Sequence, residues 1–446
     1  MSQFGLLRKR RFTALFLTQL LGAFNDNLYK NALVIFITFK AASDASGRAL
    51  LITASAGLFI LPFFLFSGWA GQFADRLEKS RMIRHVKAAE IGIMLLGAAA
   101  FALESVPLLI AILFLMGAQS SFFGPLKYGI LPQLLRAHEL VAGNGLIQMA
   151  TFIAILAGMI LGGVLAAGGG VVPVATSVVS VALVGWWASR FIPPVAIADP
   201  GLKTDRWFWR PMIRGIAFAR EDAGVFAAVL GVSWFWFMGA TFLQLLPAYG
   251  RDTLGGDANV VILLLTCFTV GIGIGSLLCA RFSRNRINLG LVPTGAAGMT
   301  LFALVPMLVG PSAASNADPL LTVSAVLGVP VNQAVIASFI GLSVCGGIFI
   351  VPLYTYVQAN SDLRRRARVI AANNILNAMF MVISAVLTLA ALGAGMSIPA
   401  VFAGAGVLNL VFCAGVIRAL TRFESQKPAA GDSGPTSGDT PYHGDR

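Results

Sequence analysis

Twelve apolar runs recur along the chain, each long enough to cross a bilayer, and few soluble folds survive that constraint. They occupy residues 12–39, 50–73, 88–106, 108–131, 145–168, 171–189, 223–249, 260–280, 289–310, 334–358, 369–392 and 398–420. A helix rising ~1.5 Å per residue needs about twenty apolar residues to span ~30 Å of hydrocarbon. Only 11% of the 446 residues are charged, against about a quarter in a soluble domain. So few charges cannot clothe a soluble protein of this size, and a 57% hydrophobic content excludes disorder. The sequence predicts an all-α polytopic membrane protein. A polar, basic linker at 190–222 separates an N-terminal six-helix half (1–189) from a C-terminal one (223–421). A tail at 422–446, rich in Gly, Pro, Ser and Asp, is expected to be disordered and cytoplasmic.

Orientation follows from the basic residues, because cytoplasmic loops retain Lys and Arg. With the N-terminus inside, 27 of the 32 fall on inside segments and 3 on outside loops. The remaining two, Lys30 and Lys127, lie within spans. Both termini are thus expected in the cytoplasm, with the chain crossing a bacterial inner membrane many times. The net charge of +13 is spread as short clusters between apolar runs, which argues against nucleic acid as a partner. The first span is too long for a signal-peptide core, and polar Asn25-Asp26-Asn27 interrupts it.

Cys267, Cys279, Cys345 and Cys413 all sit in apolar runs without a C-x-x-C spacing, so they read as small buried hydrophobes. No phosphate-binding Gly-x-x-x-x-Gly-Lys-Ser/Thr is present. With three histidines and no visible nucleophile–base pair, neither an enzyme, a metal site nor a cofactor is expected. Transport would then be secondary or facilitated.

The halves resemble one another. Pro125-Leu126 near the end of span 4 matches Pro352-Leu353 near the end of span 10. Ala142-Gly143-Asn144-Gly145-Leu146-Ile147-Gln148 matches Ala371-Ala372-Asn373-Asn374-Ile375-Leu376-Asn377 in the same order. Between spans 2 and 3, Gly71-Gln72-Phe73-Ala74-Asp75-Arg76-Leu77-Glu78-Lys79-Ser80-Arg81 resembles the major facilitator signature Gly-x-x-x-Asp-Arg-x-Gly-Arg-Arg. Gly71, Asp75, Arg76 and Lys79 match, whereas Glu78 stands for a glycine and Ser80 for a base. The resemblance implies the major facilitator fold of two parallel six-helix repeats. It also implies a conformational latch: Gly71 for close helix approach, Asp75 accepting from a neighbouring helix N-terminus, and Arg76 and Lys79 pairing across the cytoplasmic face. The latch would favour an outward-open state. The equivalent loop between spans 8 and 9 keeps Gly275, Arg281, Arg284 and Arg286 but no acid.

In this fold spans 1, 4, 7 and 10 line the central cavity. Charges within a span are costly and generally face such a cavity or a partner. Asp26, Lys30 one turn further on, and Lys127 would make the cavity slightly basic, suited to an anionic or zwitterionic solute. Each has a structural alternative: Lys30 and Asp26 as a self-neutralising pair, Lys127 as a lysine snorkelling to the interface, Asp26 as a proton site. Asn25, Gln244 and Tyr354 complete the expected substrate-binding set. Gln19, Asn27, Asn31, Gln119, Gln148, Tyr356, Asn373, Asn374 and Asn377 are further mid-span polar residues that could simply bond across helices. Trp234-Phe235-Trp236-Phe237 in span 7 is expected to face lipid. The linker segment Asp205-Arg206-Trp207-Phe208-Trp209-Arg210-Pro211 reads as interfacial at an anionic leaflet.

Gly22-Ala23-Phe24-Asn25-Asp26-Asn27, Phe122-Phe123-Gly124-Pro125-Leu126-Lys127-Tyr128-Gly129-Ile130-Leu131-Pro132, Ala142-Gly143-Asn144-Gly145 and Gly346-Gly347-Ile348-Phe349-Ile350-Val351-Pro352-Leu353 resemble the bacterial lysophospholipid transporter branch of that superfamily. The resemblance implies flipping of lysophospholipid, chiefly lysophosphatidylethanolamine, from the outer to the inner leaflet for re-acylation. The partners implied are the lysophospholipid, membrane lipid and a separate acyltransferase/acyl-carrier-protein synthetase. Asp26 and Lys127 match polar positions of the branch. Its basic residue in span 7 has no counterpart here, where Leu243 and Gln244 stand. Two other readings remain open: a proton-coupled efflux carrier for drugs or other amphipathic solutes, and a non-transporting membrane scaffold for an acyltransferase.

Overall fold

The apolar runs fold as helices because a backbone in hydrocarbon must satisfy its own N–H and C=O groups. The computed structural model describes residues 3–38, 45–168, 170–284, 286–310 and 320–426. The first six long helices are α1 (Arg10–Phe36), α2 (Ala45–Arg76), α3 (Lys79–Ala102), α4 (Val106–Leu134), α5 (Leu140–Gly168) and α6 (Val171–Ser189). A shorter α7 (Trp209–Glu221) lies in the linker. Then come α8 (Ala223–Ala248), α9 (Ala258–Phe282), α10 (Leu291–Val309), a one-turn α11 (Val323–Leu327), α12 (Pro330–Asn360), α13 (Arg366–Gly393) and α14 (Ile398–Gln426). Helix α14 therefore continues past residue 421, and residues 427–446 of the expected tail lie outside the described residues.

Among the described residues, eleven helices are both long and apolar enough to cross a membrane. The twelfth, α1, has the length, at 27 residues, but its Asn25–Lys30 stretch makes it more polar. The protein is a multi-pass membrane protein.

The repeat is visible in the packing. In chain order, α1 to α6 correspond to α8, α9, α10, α12, α13 and α14. Within the first set α1 packs on α5 and α6, α2 on α4, and α3 on α4 and α6. Within the second, α8 packs on α13 and α14, α9 on α12, and α10 on α12 and α14. Every pair has its counterpart. The two sets meet along α2–α13 and α5–α9, and the same correspondence exchanges these two interfaces. Each is pinned by a glycine. A Cβ on Gly71 would stand 2.7 Å from that of Ala371, and one on Gly145 would stand 2.6 Å from the Ser276 carbonyl oxygen. Only hydrogen lets these backbones come so close.

Helices α1 and α14 respectively begin and end on one face of the molecule, termed the terminal face. Glu78 caps α3 there, accepting from the Ser80 and Arg81 amides, each at 2.8 Å. A further bond, from the Val195 amide at 3.0 Å, ties down the start of the linker. Asp222 caps α8 through the Val225 amide. Helix α7 is wedged between α2 and α13 by its small face, Pro211, Gly215 and Ala219. Trp207, Trp209 and Ile213 remain exposed.

Candidate transport site

The polar centre of α1 faces α4. Ser120 on α4 donates its hydroxyl to the Asp26 carboxylate at 2.7 Å. Lys30 does not close a pair with Asp26: its Nζ stands over the Phe59 ring of α2, 4.4 Å from the centroid. Lys127, nearer the terminal face, holds its Nζ over the Tyr128 ring at 4.6 Å. Neither lysine has an ion-pair partner among the described residues. The three charges stay close enough for Asp26 to act on both bases. Both lysines are only half-buried. This group is thus a loose arrangement of one acid and two bases, with its strongest fixed contact at Ser120.

Asn25 points elsewhere. It is fully buried and donates to Glu90 on α3 at 3.2 Å and to the Val178 carbonyl on α6 at 3.1 Å. Successive helical residues differ by ~100° in direction, so adjacency to Asp26 in sequence does not place Asn25 beside it. Gln244 is exposed on α8, two turns beyond Trp236 towards the far face, and no hydrogen bond among the described residues joins it to the Asp26 group.

Tyr354 on α12 stacks on Tyr128, centroids 4.5 Å apart and planes 11° from parallel. Tyr128 donates to Gln148 at 3.1 Å, and Trp236 donates to Tyr354 at 3.2 Å. Phe152 of α5 lies against Trp236. The Tyr128–Tyr354 stack therefore joins the two halves at the level of Lys127. One turn closer to the terminal face, Asn144 and Gln358 exchange reciprocal amide bonds at 2.7 and 3.2 Å, and Asn144 also reaches Thr355 at 3.1 Å. These residues are fully buried.

The aromatic run of α8 is a correction to the expectation of lipid contact. Trp234, Phe235 and Phe237 are all buried inside the protein. Trp234 donates to Asn409 of α14 at 2.8 Å and stacks on Phe412 and Phe237. Aromatic surface packs as well against helices as against acyl chains, and hydropathy does not tell the two apart.

At the terminal face itself, Asp75 crosses from α2 to the start of α13. Its carboxylate accepts from the backbone amides of Ala367 and Arg368 at 3.1 and 3.3 Å, and from the Arg368 Nε at 3.0 Å. Arg368 also donates to Asp199 of the linker at 3.1 Å. Arg76 turns outward to the linker hydroxyl of Thr204 at 3.4 Å instead of reaching the second half. Lys79 is buried beneath Gly129, within reach of the Asp75 charge.

The Major Facilitator Superfamily profile matches residues 15–331. This chain belongs to that superfamily. Its relatives include the lysophospholipid transporter LplT of Citrobacter koseri, 30% identical over 76% of this chain and 78% of its own length. That of Yersinia enterocolitica is 28% identical over 79% and 80%. Among solved structures, the superfamily transporter FucP in its outward conformation superposes with a TM-score of 0.69 at 15% identity, over 93% of this chain and 98% of FucP. An outward-facing bacterial homologue of the iron transporter ferroportin gives 0.64 at 15%, over 93% and 99%. These two likenesses are of fold.

Three residues of this superfamily member were missed by sequence reasoning. Arg368 passed as one of several loop bases. Lys87 was assigned to the loop between spans 2 and 3, whereas it lies inside α3, 1% exposed, in an ion pair with Glu90, 2% exposed. The signal available was an opposite charge pair one helical turn apart at the edge of an apolar run.

Proposed function

We propose that the protein is a secondary transporter that carries lysophospholipid, chiefly lysophosphatidylethanolamine, across the bacterial inner membrane by alternating access. The terminal face is cytoplasmic in this reading, and the present state is closed on that side. The halves 1–189 and 223–421 rock about the cavity. Lys127 takes the lipid phosphate and Asp26 the ethanolamine amine, while the acyl chain stays among apolar walls. Gly71, Asp75 and Lys79 form the latch that holds the cytoplasmic side shut until the substrate is seated, and Arg76 ties it to the linker through Thr204. The product in the inner leaflet is delivered to a separate acyltransferase. No cofactor and no covalent step are required.

The observation that carries this reading is the pair of unpaired lysines and one carboxylate on α1 and α4, in a chain whose curated relatives bear the name lysophospholipid transporter. A zwitterion with a phosphate and an amine offers each charge a partner. The test is uptake of labelled lysophosphatidylethanolamine by spheroplasts with and without the protein. Protein-dependent transfer to the inner leaflet is expected. Equal transfer with and without it, together with altered drug resistance, would favour the efflux reading instead.

A further inference from the structure

Behind the candidate site lies a buried charged unit that the transport reading does not use. The Lys87–Glu90 ion pair on α3 is almost wholly enclosed. Burial of two charges costs desolvation that their attraction recovers only with good geometry, and an apolar pair of similar volume commonly does as well for stability. Such a pair inside a membrane helix is a functional candidate by its cost.

Its partners indicate what it does. Glu90 accepts from Asn25 on α1 at 3.2 Å and from Gln119 on α4 at 3.1 Å. The residues that follow these two, Asp26 and Ser120, bond each other at 2.7 Å. One carboxylate thus clamps two helices at the positions immediately before the contact that fixes Asp26. Asn25 spends its amide nitrogen on Glu90 and on Val178, and its Oδ1 has no partner. Its orientation is therefore set by what it donates to. Ser120 has a single proton. At 2.7 Å Asp26 takes it in preference to the Gln119 oxygen at 3.3 Å. Lys87 is housed between α1 and α6: a Cβ on Gly22 or Gly185 would stand 3.2 or 3.1 Å from its Nζ. Those two glycines make room for the cation that holds Glu90 in place.

We infer that Glu90, held by Lys87, is a positioning residue that sets the register of α1 against α4, and through it the spacing between Asp26 and Lys127. Lys127 lies two turns beyond Gln119 on α4, so a slip of either helix changes that spacing directly. On the transport reading, which this inference rests on for its substrate, the spacing selects a headgroup carrying a cation at a fixed distance from its phosphate.

The test uses the full-length protein with Lys87→Met and Glu90→Leu combined, which removes both charges together and leaves no unpaired buried charge. Two measurements are made. The first is cross-linking between cysteines placed at Asp26 and Ser120, in a background where the four native cysteines are serine. Cross-linking is expected in the parent and is expected to fall several-fold in the double variant at equal membrane abundance. The second is uptake of lysophosphatidylethanolamine against lysophosphatidic acid, which lacks the amine. In the double variant the half-saturating concentration for the first should rise about tenfold or more, and the preference between the two should collapse. Glu90→Gln, keeping one acceptor, should fall between. Unchanged cross-linking would overturn the inference whatever the substrate is. Uptake is measured in proteins that keep Asp26 and Ser120, and if the cysteine pair cross-links as expected while the protein with both residues intact moves no lysophospholipid, the transport reading alone would fail. A double variant that cross-links and transports like its parent makes the pair purely structural.

Discussion

The Asp75 carboxylate meets the Arg368 guanidinium at 3.0 Å across the boundary between the two halves, with Asp75 wholly buried. The same carboxylate receives the first free amides of α13, so it caps a helix that belongs to the other half and stands at the positive end of that helix dipole. Arg368 passes the contact on to Asp199, and the linker backbone returns it, Asp199 donating its amide to the Asp75 carbonyl at 2.8 Å. On the proposed reading these contacts make latch and linker one unit, and rocking of the halves would break all of it together.

Asp75→Asn should therefore loosen the terminal face without unfolding the protein. Hydrogen bonds to charged groups contribute about 1.5–3 kcal/mol, so the equilibrium between the two states should shift by roughly 10- to 100-fold. A cysteine at Thr355, buried beside Asn144 where the two halves meet, should become reactive to a water-soluble maleimide in the variant, and the transport rate should fall. If reactivity stayed at the parent level while only substrate affinity changed, the latch would not be what Asp75 does.

The spans, the duplication and the loop bearing Asp75 were legible in the sequence, because each is a local pattern: apolar length, a repeated short motif, a charge spacing. The partners were not. Arg368 lies 293 residues from Asp75 and looked like any base in a basic loop. Lys87 sits where an apolar run meets a cluster of bases, and the positive-inside bias assigned it to that cluster. Asn25, Asp26 and Asn27 read as one polar patch, yet the helix turns Asn25 towards α3 and Asp26 towards α4. Sequence shows which residues are costly to bury, and only packing shows which way they point.

Glu78 gives the linker a pH dependence. Burial alone would raise its carboxyl, but hydrogen bonds from Val195, Ser80 and Arg81 outweigh that and hold it below the ordinary glutamate value. A carboxyl lowered on folding contributes stability at pH above its unfolded value, ~4.3, and loses it as pH falls through the folded one. Tryptic cleavage at Lys203 should be slow and constant from neutrality down to about pH 5, then accelerate in more acid solution relative to a control peptide. Glu78→Gln should cut faster at neutral pH and lose most of that acid step. An identical pH profile for parent and variant would count against this role.

Asp26→Asn is expected to abolish transport while leaving membrane abundance unchanged, since the amide keeps the volume and can still accept from Ser120. Ser120→Ala should be milder, a loss of about tenfold, because it removes one hydrogen bond to a charged group, worth about 1.5–3 kcal/mol, and leaves the charge. Uptake of labelled lipid by both variants decides the order. Wild-type uptake by Asp26→Asn would remove the carboxylate from the site.

Lys127 is the most informative position of all, because two physical accounts of it diverge sharply. Its Nζ rests over the Tyr128 ring, a cation–π contact worth about 0.5–2 kcal/mol. A phosphate oxygen would offer a charge-assisted bond of about 1.5–3 kcal/mol instead, enough to draw the lysine off the ring. Tyr128 stacks on Tyr354 of the opposite half, so substrate capture would strip one contact from that stack at the moment the cavity fills. Lys127→Arg should then keep part of the activity, since guanidinium can meet phosphate and ring alike. Lys127→Ala should lose about tenfold or more, and Lys127→Glu should lose more again by repelling the phosphate. A lysine that merely snorkels would behave otherwise, with Ala tolerated because an apolar side chain suits that depth. Uptake across the three variants at equal abundance separates the accounts, and near-normal transport by Lys127→Ala would take Lys127 out of the site.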